Sequence, residues 1–211
     1  MRIDIWSDAI CPFCLIAKVE LDKAIATFPH RDEVTLVRRT LAIHADVPVE
    51  PIPAYLNRKY GWSAAQIASQ CDAIAARAAS LGLVYNWRQA TSAPTLDTHR
   101  LIAYAETVGL GAEVERAITL AHFTDGRDIS DHTVLNDIAR AHRLDADAVD
   151  HVLASDEFAD VVAADAAEAH AMGVTGTPFT LLDGEYGVSG AQSSEAFASA
   201  LAQVWAIRHP A

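Results

Sequence analysis

The sequence has few cysteines, few basic residues and no long apolar segment, and each shortage excludes a class of protein. No stretch approaches the roughly 20 apolar residues that a membrane-spanning helix needs. Residues 1–10 contain no apolar run long enough for the core of a signal peptide. With 28 acidic and 16 basic residues, the formal net charge is −12, which argues against a nucleic-acid partner because that would need a basic face. We therefore expect a cytoplasmic protein with neither a membrane nor a nucleic-acid partner, in a compartment where stable disulfides are uncommon.

The three cysteines also restrict which metal site can form. Zinc would need two ligands besides Cys11 and Cys14, yet there is no second C-x-x-C and the nine histidines contain no H-x₃₋₅-H pair. Cys71 shares an apolar helical face and is expected to be a small buried residue rather than a third redox thiol. The aspartates of segment 125–131 are spaced by three instead of two, which does not suit a calcium loop. We expect no metal site, and the sequence has no P-loop, G-x-G-x-x-G or G-x-S-x-G motif.

The hydrophobic periodicity predicts an α/β protein that starts with strand, helix and strand. Residues 2–8 alternate apolar and polar side chains, as a half-buried strand does, and from Pro12 the apolar residues recur at helical spacing. Pro29 ends that helix, and the alternating, β-branched segment 34–43 predicts a second strand. A Pro-rich connection and a long Ala-rich region follow, and between about 44 and 174 we expect helices without a strand.

The end of the chain returns to strands. Residues 179–182 and 186–189 flank an Asp-Gly pair at 183–184, which is a strong signal for a hairpin turn. A final amphipathic helix begins after Ser193 or Ser194.

These elements assemble into a fold that is interrupted once. Without the helical region the order is β-α-β followed by β-β-α, which is a thioredoxin-like arrangement. We therefore predict a discontinuous thioredoxin-like domain, residues 1–45 and 174–211, interrupted by a helical insertion domain, residues 46–173.

Cys11 and Cys14 have the C-x-x-C spacing that occurs in metal sites, inert disulfides and working dithiols. Cys11 falls at or just before the start of the first predicted helix, where unpaired N–H groups and the helix dipole stabilise a thiolate. Cys14 lies one turn later on the same side, where it can attack a mixed disulfide, and Pro12 suits the first helical turn. The missing zinc ligands and the expected cytoplasmic location favour the working dithiol.

A second segment supports that interpretation. In "GVTGTPF", Thr177-Pro178 stands immediately before a predicted strand, where proline fits because it has no N–H to donate. An X-Pro bond is the type that adopts the cis form, and an ordinary trans turn is the alternative. In a thioredoxin-like fold this loop lies beside the C-x-x-C, where backbone groups of Thr177 can pair with an extended substrate peptide.

Four segments occur in an order that resembles the FrnE-like branch of the DsbA family. They are DIWSDAICPFC near the start, PTLDTHRL and FTDGRDISDH in the helical region, and GVTGTPFTLLDGEYGVSGAQ near the end. Each motif alone is weak, but their joint order covers essentially the whole chain. The resemblance implies a thioredoxin fold with a helical insertion and thiol–disulfide oxidoreductase activity. By position, it implies that Cys11 is the nucleophile, Cys14 the resolving thiol and Thr177-Pro178 the cis-proline loop.

Two residues of the active-site motif depart from that family. Phe13 and Leu15 stand where the family usually shows C-P-W-C-Y, so the indole donor and the tyrosine hydroxyl are missing while Phe13 keeps an apolar cover over the site. Substrate preference is affected, whereas the dithiol chemistry is not. Relatives that resemble kappa-class glutathione transferases and 2-hydroxychromene-2-carboxylate isomerases carry Ser at the first Cys position, and Cys11 argues against that branch.

Five further polar residues are candidates of lesser weight. Asp8 can act through water as a proton acceptor for Cys14, or it can simply terminate the first strand. Asp4, inside that strand, is expected to face solvent or to be paired locally. The resemblance places the segment with Thr95, His99 and Arg100 at the cleft, where these side chains are candidates for substrate contact; the alternative is an exposed helix face.

We therefore predict a cytoplasmic thiol–disulfide oxidoreductase that uses Cys11 and Cys14 on protein or small-molecule disulfides. Its partners are substrate thiols or disulfides and a reducing or oxidising partner, with a homodimer left open. No cofactor is required beyond the dithiol, and glutathione is an open co-substrate. One alternative is a glutathione-dependent isomerase or transferase acting on an aromatic or polyketide-like small molecule. The other is a chaperone or binding protein in which the dithiol is a redox switch.

Overall fold

The structure is a computed structural model that describes residues 1–43 and 46–210. Its helices and strands are β1 (Arg2–Ser7), α1 (Pro12–Thr27), a 3₁₀ turn (Arg31–Glu33), β2 (Thr35–Thr40), β3 (Glu50–Pro51), α2 (Ile52–Tyr60), α3 (Ala64–Ser80), β4 (Thr91–Ser92), α4 (Leu96–Thr107), α5 (Gly111–Phe123), α6 (His132–Ala141), α7 (Ala146–Ala154), α8 (Ala159–Ala171), β5 (Phe179–Leu182), β6 (Tyr186–Ser189) and α9 (Ser194–Arg208). Among the described residues, no helix has the length and apolar character to cross a membrane.

A four-stranded mixed sheet organises the fold, with the strand order β2-β1-β5-β6. β1 pairs with β2 in parallel and with β5 in antiparallel fashion, and β5 pairs with β6 across the predicted turn. Both residues of that turn, Asp183 and Gly184, have positive φ angles (48° and 72°), as a tight hairpin turn requires. The structure confirms the predicted α/β class: a thioredoxin fold with a helical insertion between β2 and β5.

The alternation of β1 divides the core between the two faces of the sheet. Ile3 and Ile5 point to one face and pack with Leu21 of α1 and Phe197 of α9. Trp6 points to the other face and packs against α8. Because successive side chains of a strand point to opposite faces, one short strand anchors helices on both sides of the sheet.

The inserted helices pack closely against the start of α1. Ile16 of α1 belongs to the same apolar cluster as Ile67 and Cys71 of α3. Ala9 and Ile10, just before the C-x-x-C, are buried in a cluster with residues of α4 and α5. The segment that presents the two thiols therefore lies at the junction of the thioredoxin part and the insertion.

Several helix ends coincide with local sequence signals. Ser63 caps α3 through a capping box with Gln66, and Gly82 follows that helix with a φ of +76°. Ser193, one of two candidates, is the N-cap of α9.

The expectation of no strand between about 44 and 174 is wrong. Glu50 and Pro51 of β3 pair in antiparallel fashion with Ser92 and Thr91 of β4. Two residues are too short for a periodic pattern to appear, and Ser92, which donates to the carbonyls of Pro48 and Glu50, lies more than 40 residues from them in the sequence. The predicted domain boundary falls at Ala45, which with His44 and Ala211 lies outside the described residues, so the division into domains stays a prediction.

Candidate active site

Cys11 and Cys14 occupy the start of α1. The helix begins at Pro12, Cys11 is its N-cap, and the N–H of Cys14 donates to the carbonyl of Cys11 at 3.0 Å. Both residues are reduced thiols and only 6% exposed. The predicted position of the dithiol, at the junction of a strand and a helix, is therefore the observed one.

The two thiols have opposite electrostatic environments. A hydrogen bond from the Cys14 thiol holds the pKa of Cys11 below its usual value, against the opposing effects of burial and of the Asp8 charge. Burial raises the pKa of Cys14 well above its usual value, and a neighbouring Cys11 thiolate raises it further. Cys11 is thus the group that ionises first, and Cys14 retains its proton.

The loop at Thr177 and Pro178 lies against Cys11. The sulfur of Cys11 is 3.6 Å from the carbonyl oxygen of Thr177, and the peptide bond between Thr177 and Pro178 is cis. The ladder between β1 and β5 ends at the pair of Trp6 with Phe179, so Thr177 lies outside the sheet. Its backbone is placed beside the reactive sulfur, where an extended peptide can pair with it.

A cavity of about 310 Å³ opens beside the two thiols between α1 and α5. Leu15 and Lys18 of α1 line it from one side, and Glu115 of α5 lines it from the other. The Lys18 ammonium lies 2.6 Å from the Glu115 carboxylate, so an ion pair joins the two helices across the cavity wall. Phe13 does not line the cavity; its side chain is 41% exposed next to the thiols.

Asp8 and His99 form a buried pair behind the thiols. Oδ1 of Asp8 lies 3.2 Å from Nε2 of His99, and both side chains are almost completely inaccessible. Asp8 also lines the cavity that Cys11 and Cys14 line. Its carboxylate is therefore held by the insertion rather than exposed at the end of a strand.

Thr95 and Arg100, the other candidates in this segment, do not line that cavity. Arg100 is buried and donates to the carbonyls of Val152, Ser155 and Glu157 at the C-terminal end of α7. Thr95, just before α4, is completely buried. The exposed-face alternative is wrong for this segment because α4 is covered by α5, α7 and α8.

Two other expectations are resolved by packing. Cys71 is buried in α3, and burial raises its pKa, as expected for a structural cysteine. Asp4 does not face solvent: it is buried and paired with Arg2 and, across the sheet, with Arg39. Within the described residues, no group of three or more His, Cys, Asp or Glu side chains is arranged to hold a metal ion.

Sequence reasoning missed several polar residues of the cavity wall, among them Ser7, Lys18 and Glu115. Lys18 follows Cys14 by four residues, so helical spacing alone indicates that it shares the face of the thiol. No sequence spacing relates Ser7 or Glu115 to the two cysteines in this way. Glu115 lies 97 residues from its partner Lys18.

Comparison with known families identifies the chain. The family model of the DSBA-like thioredoxin domain matches residues 2–202. The chain belongs to this family. A probable DsbA oxidoreductase from Streptomyces coelicolor is 40% identical, with a TM-score of 0.96, covering 100% of this chain and 92% of that chain. This member of the family is thus similar over its whole length to a probable DsbA oxidoreductase.

More distant structures share the fold of this DsbA-family chain. The cytosolic disulfide reductase DsbM from Pseudomonas aeruginosa, in its structure with GSH, is 18% identical with a TM-score of 0.67, covering 97% of this chain and 99% of that one. A 2-hydroxychromene-2-carboxylate isomerase is 15% identical with a TM-score of 0.70, covering 99% of this chain and 98% of that one. At these identities the likeness shows the fold alone. A comparison with curated protein sequences returned no significant match.

Proposed function

We propose that the protein exchanges disulfides with Cys11 as nucleophile and Cys14 as resolving thiol, as the FrnE-like branch of the DsbA family does. The observation that carries this proposal is the asymmetry of the pair. Cys11, whose pKa is lowered, stands at a helix N-terminus beside the Thr177 carbonyl, while Cys14, whose pKa is raised, is buried one turn later. An attacking thiol needs a thiolate, and a resolving thiol should stay protonated until the mixed disulfide has formed.

The reaction has two steps. The Cys11 thiolate attacks one sulfur of a substrate disulfide, the substrate S–S bond breaks, and the other substrate sulfur leaves as a thiolate. The sulfur of Cys14 then attacks that of Cys11, loses its proton, and releases the second substrate sulfur, which leaves Cys11 and Cys14 joined by a disulfide. The reverse sequence oxidises a substrate dithiol and returns both cysteines to thiols.

Three features of the site support both proteins and small thiols as substrates. The backbone of Thr177 lies outside the sheet and next to Cys11, an arrangement suited to an extended peptide. Phe13, between the two cysteines in the sequence, is 41% exposed and offers an apolar contact to a substrate. The cavity lined by Leu15 and Lys18 has the size at which small-molecule sites begin, roughly 300 Å³.

The proposal includes a cytoplasmic location and an exchange partner. In a reducing compartment the dithiol is kept reduced, so the protein works as a reductase or isomerase, and glutathione is a chemically suitable source of electrons. No further cofactor is part of the proposed reaction. The direction is set by the potential of the partner, not by the two cysteines alone.

Reduction of insulin by a thiol tests the proposal. We expect wild type to accelerate it, Cys11→Ser to abolish the acceleration, and Cys14→Ser to accumulate a mixed disulfide at Cys11. Cys71→Ser is the matched control. Because Cys71 is buried in α3, this substitution should leave the rate of insulin reduction unchanged. A wild-type rate no higher than that of Cys11→Ser would refute the proposal.

The same variants discriminate the alternatives. Saturable glutathione binding that Cys11→Ser does not alter would favour a glutathione-dependent isomerase or transferase. Suppression of aggregation that survives the loss of both Cys11 and Cys14 would favour a chaperone or binding protein.

A further inference from the structure

An ion pair lines the same cavity as the two thiols. Lys18 of α1 and Glu115 of α5 both line it, and Nζ of Lys18 lies 2.6 Å from Oε2 of Glu115. The hydroxyl of Ser7, at the end of β1, lies 3.4 Å from the other carboxylate oxygen, Oε1. The side chains of Lys18 and Glu115 are only 27% and 15% exposed. An ammonium and a carboxylate are therefore held together in the cavity, largely withdrawn from bulk solvent.

Both partners of this ion pair keep hydrogen-bonding capacity. A lysine ammonium has three N–H donors, and among the described residues Glu115 is the only acceptor bonded to Lys18. A carboxylate has about four acceptor positions, of which Lys18 and Ser7 occupy two. A ligand in the cavity can therefore bond to the pair without breaking it, with an anionic group at Lys18 and an ammonium group at Glu115.

Helical geometry sets the distance between this pair and the thiols. Lys18 follows Cys14 by four residues, so it lies on the same face of α1 about 6 Å further along the axis, at 1.5 Å per residue. Asp22, one turn later, is about 12 Å from Cys14 on the same scale. A disulfide that reacts at the thiols therefore reaches Lys18 with charged groups close to its sulfur, whereas Asp22 requires a longer molecule.

Five more charged groups line this cavity among the described residues. Asp8 is held by His99 at 3.2 Å, and Arg38 is ion-paired with Glu106 at 3.0 Å. The other three are exposed to solvent, which weakens their pairing with a ligand: Asp22, Glu113 and Arg116. The Lys18–Glu115 pair is thus the pair of opposite charges best placed to hold a ligand next to the thiols.

The rest of the cavity suits a small molecule with a short hydrocarbon part. Its volume, about 310 Å³, falls at the lower end of small-molecule sites, which start at roughly 300 Å³. Apolar side chains that can contact methylene groups include Leu15, Leu83 and Leu120. A disulfide inside a folded protein is too bulky to enter such a space.

We propose that this cavity binds small disulfides of the α-amino-acid type, such as cystine, and that Lys18 and Glu115 select them by their charges. In these molecules an ammonium and a carboxylate are attached to the second carbon from the sulfur. The carboxylate bonds to Lys18 and the ammonium to Glu115, which places the disulfide beside Cys11. This assignment rests on the proposed function of the dithiol and names a substrate class for it.

The reaction converts one small disulfide into two small thiols. The Cys11 thiolate attacks one sulfur, the S–S bond breaks, and the first half leaves as a thiolate. Cys14 then attacks the sulfur of Cys11, loses its proton and displaces the second half. That proton and one from water convert the two released thiolates into thiols, and the protein is left with a Cys11–Cys14 disulfide. A thiol partner returns the protein to the dithiol.

Four small disulfides of matched shape test the charge selection. Cystine carries both charges, dithiodipropionate only carboxylates, cystamine only ammonium groups, and bis(hydroxyethyl) disulfide neither. The measured quantity is the second-order rate constant for oxidation of the reduced protein, by rapid mixing, acid quench and thiol counting. Division by the rate constant of dithiothreitol with the same disulfide removes differences in intrinsic reactivity. We expect cystine to exceed the neutral disulfide about tenfold or more, the scale of one hydrogen bond to a charged group.

Variants at the pair assign each part of this preference. Lys18→Met should remove the advantage of the two carboxylate-bearing disulfides, and Glu115→Gln that of the two ammonium-bearing ones. Both should react with the neutral disulfide at the wild-type rate, and Lys18→Arg should keep the preference for cystine. Lys23→Met removes a lysine of the same helix outside the cavity and is the control, with wild-type rates for all four.

Several results would overturn the charge selection. They are equal normalised rates of wild type with cystine and the neutral disulfide, an equal slowing of all four in Lys18→Met, and a loss of the preference in Arg116→Gln. Glutathione disulfide, whose charges lie farther from its sulfurs, overturns the substrate class if it reacts faster than cystine. If Lys18→Met does not fold, the wild-type series decides by itself. Wild type that reduces insulin but none of the small disulfides overturns the cavity assignment alone, whereas wild type no faster than Cys11→Ser with every disulfide overturns the proposed function.

Discussion

Replacing Cys14 by alanine should raise the pKa of Cys11. The largest influence that lowers this pKa is the hydrogen bond from the Cys14 thiol, and alanine removes it while keeping the helix. A hydrogen bond to a charged group contributes about 1.5–3 kcal/mol, but a thiol is a weak donor, so we take the lower end. Since a tenfold change in an equilibrium constant corresponds to about 1.4 kcal/mol, losing this bond should raise the pKa of Cys11 and favour its protonated form about tenfold. Below that pKa, the thiolate population then falls about tenfold.

The pH dependence of iodoacetamide alkylation measures this change directly. In Cys14→Ala, Cys11 is the one thiol left in the C-x-x-C motif. Cys71→Ala, which removes a cysteine buried in α3, is the control variant. The midpoint of the alkylation curve should move to higher pH in the first variant and stay at the wild-type value in the second. A midpoint for Cys14→Ala equal to or below that of wild type would refute the reasoning. It would show that the helix N-terminus and the Thr177 loop alone stabilise the thiolate.

Two further predictions concern stability. Arg39 binds two nearly buried carboxylates, Asp4 at 3.0 Å and one on α8 at 2.8 Å, so Arg39→Leu should cost about 3 kcal/mol, near the lower end for breaking a buried ion pair. The adjacent Arg38→Leu loses an exposed ion pair and should cost at most about 1 kcal/mol. Burial alone would raise the pKa of Asp4. The hydrogen bonds from Arg2 and Arg39 lower it by more than burial raises it, so the pKa of Asp4 is depressed. The Asp4 carboxylate therefore stabilises the fold above its unfolded-state pKa, and this stabilisation is lost as the pH falls through its folded-state pKa. Urea titrations at pH 7 and about pH 3 should show that the losses in free energy of unfolding of Arg39→Leu and Arg38→Leu become more similar at the lower pH. Equal losses for both variants at pH 7 would contradict this. Ser63→Ala removes a capping box and should lower the free energy of unfolding by about 1 kcal/mol. Ser80→Ala, in the last turn of the same helix, is its control in thermal unfolding, and a Ser63→Ala protein as stable as that control would count against the cap.

Features that depend on neighbours in the sequence were predictable. The cap at Ser63, the turn at Asp183 and the position of Cys11 before Pro12 each follow from interactions within four residues. Such interactions form in the same way whatever the rest of the chain does, so composition and spacing suffice to predict them. The same applies to the β-α-β and β-β-α order from which the thioredoxin arrangement was inferred.

Contacts between distant segments were not predictable from pattern. Periodicity indicates which face of α4 is apolar, but it does not say which element will cover that face. Arg100 therefore turned out to hold the end of α7, whereas its neighbour His99 reaches Asp8, 91 residues away. The short pair of β3 and β4 arises in the same way, because each strand is only two residues long and exists through its partner.

The amino-acid sequence by itself determined the dithiol: two cysteines at the start of a helix, a proline loop before a strand, and the family to which both belong. Only the tertiary structure decided what surrounds the two sulfurs. A thiol responds to burial, to hydrogen bonds and to charges within a few ångströms, and folding supplies these from three segments of the chain. The asymmetry between Cys11 and Cys14 comes from the hydrogen bonds at Cys11 and from the burial of Cys14. The Asp8–His99 pair forms because the inserted helix α4 packs against the end of β1.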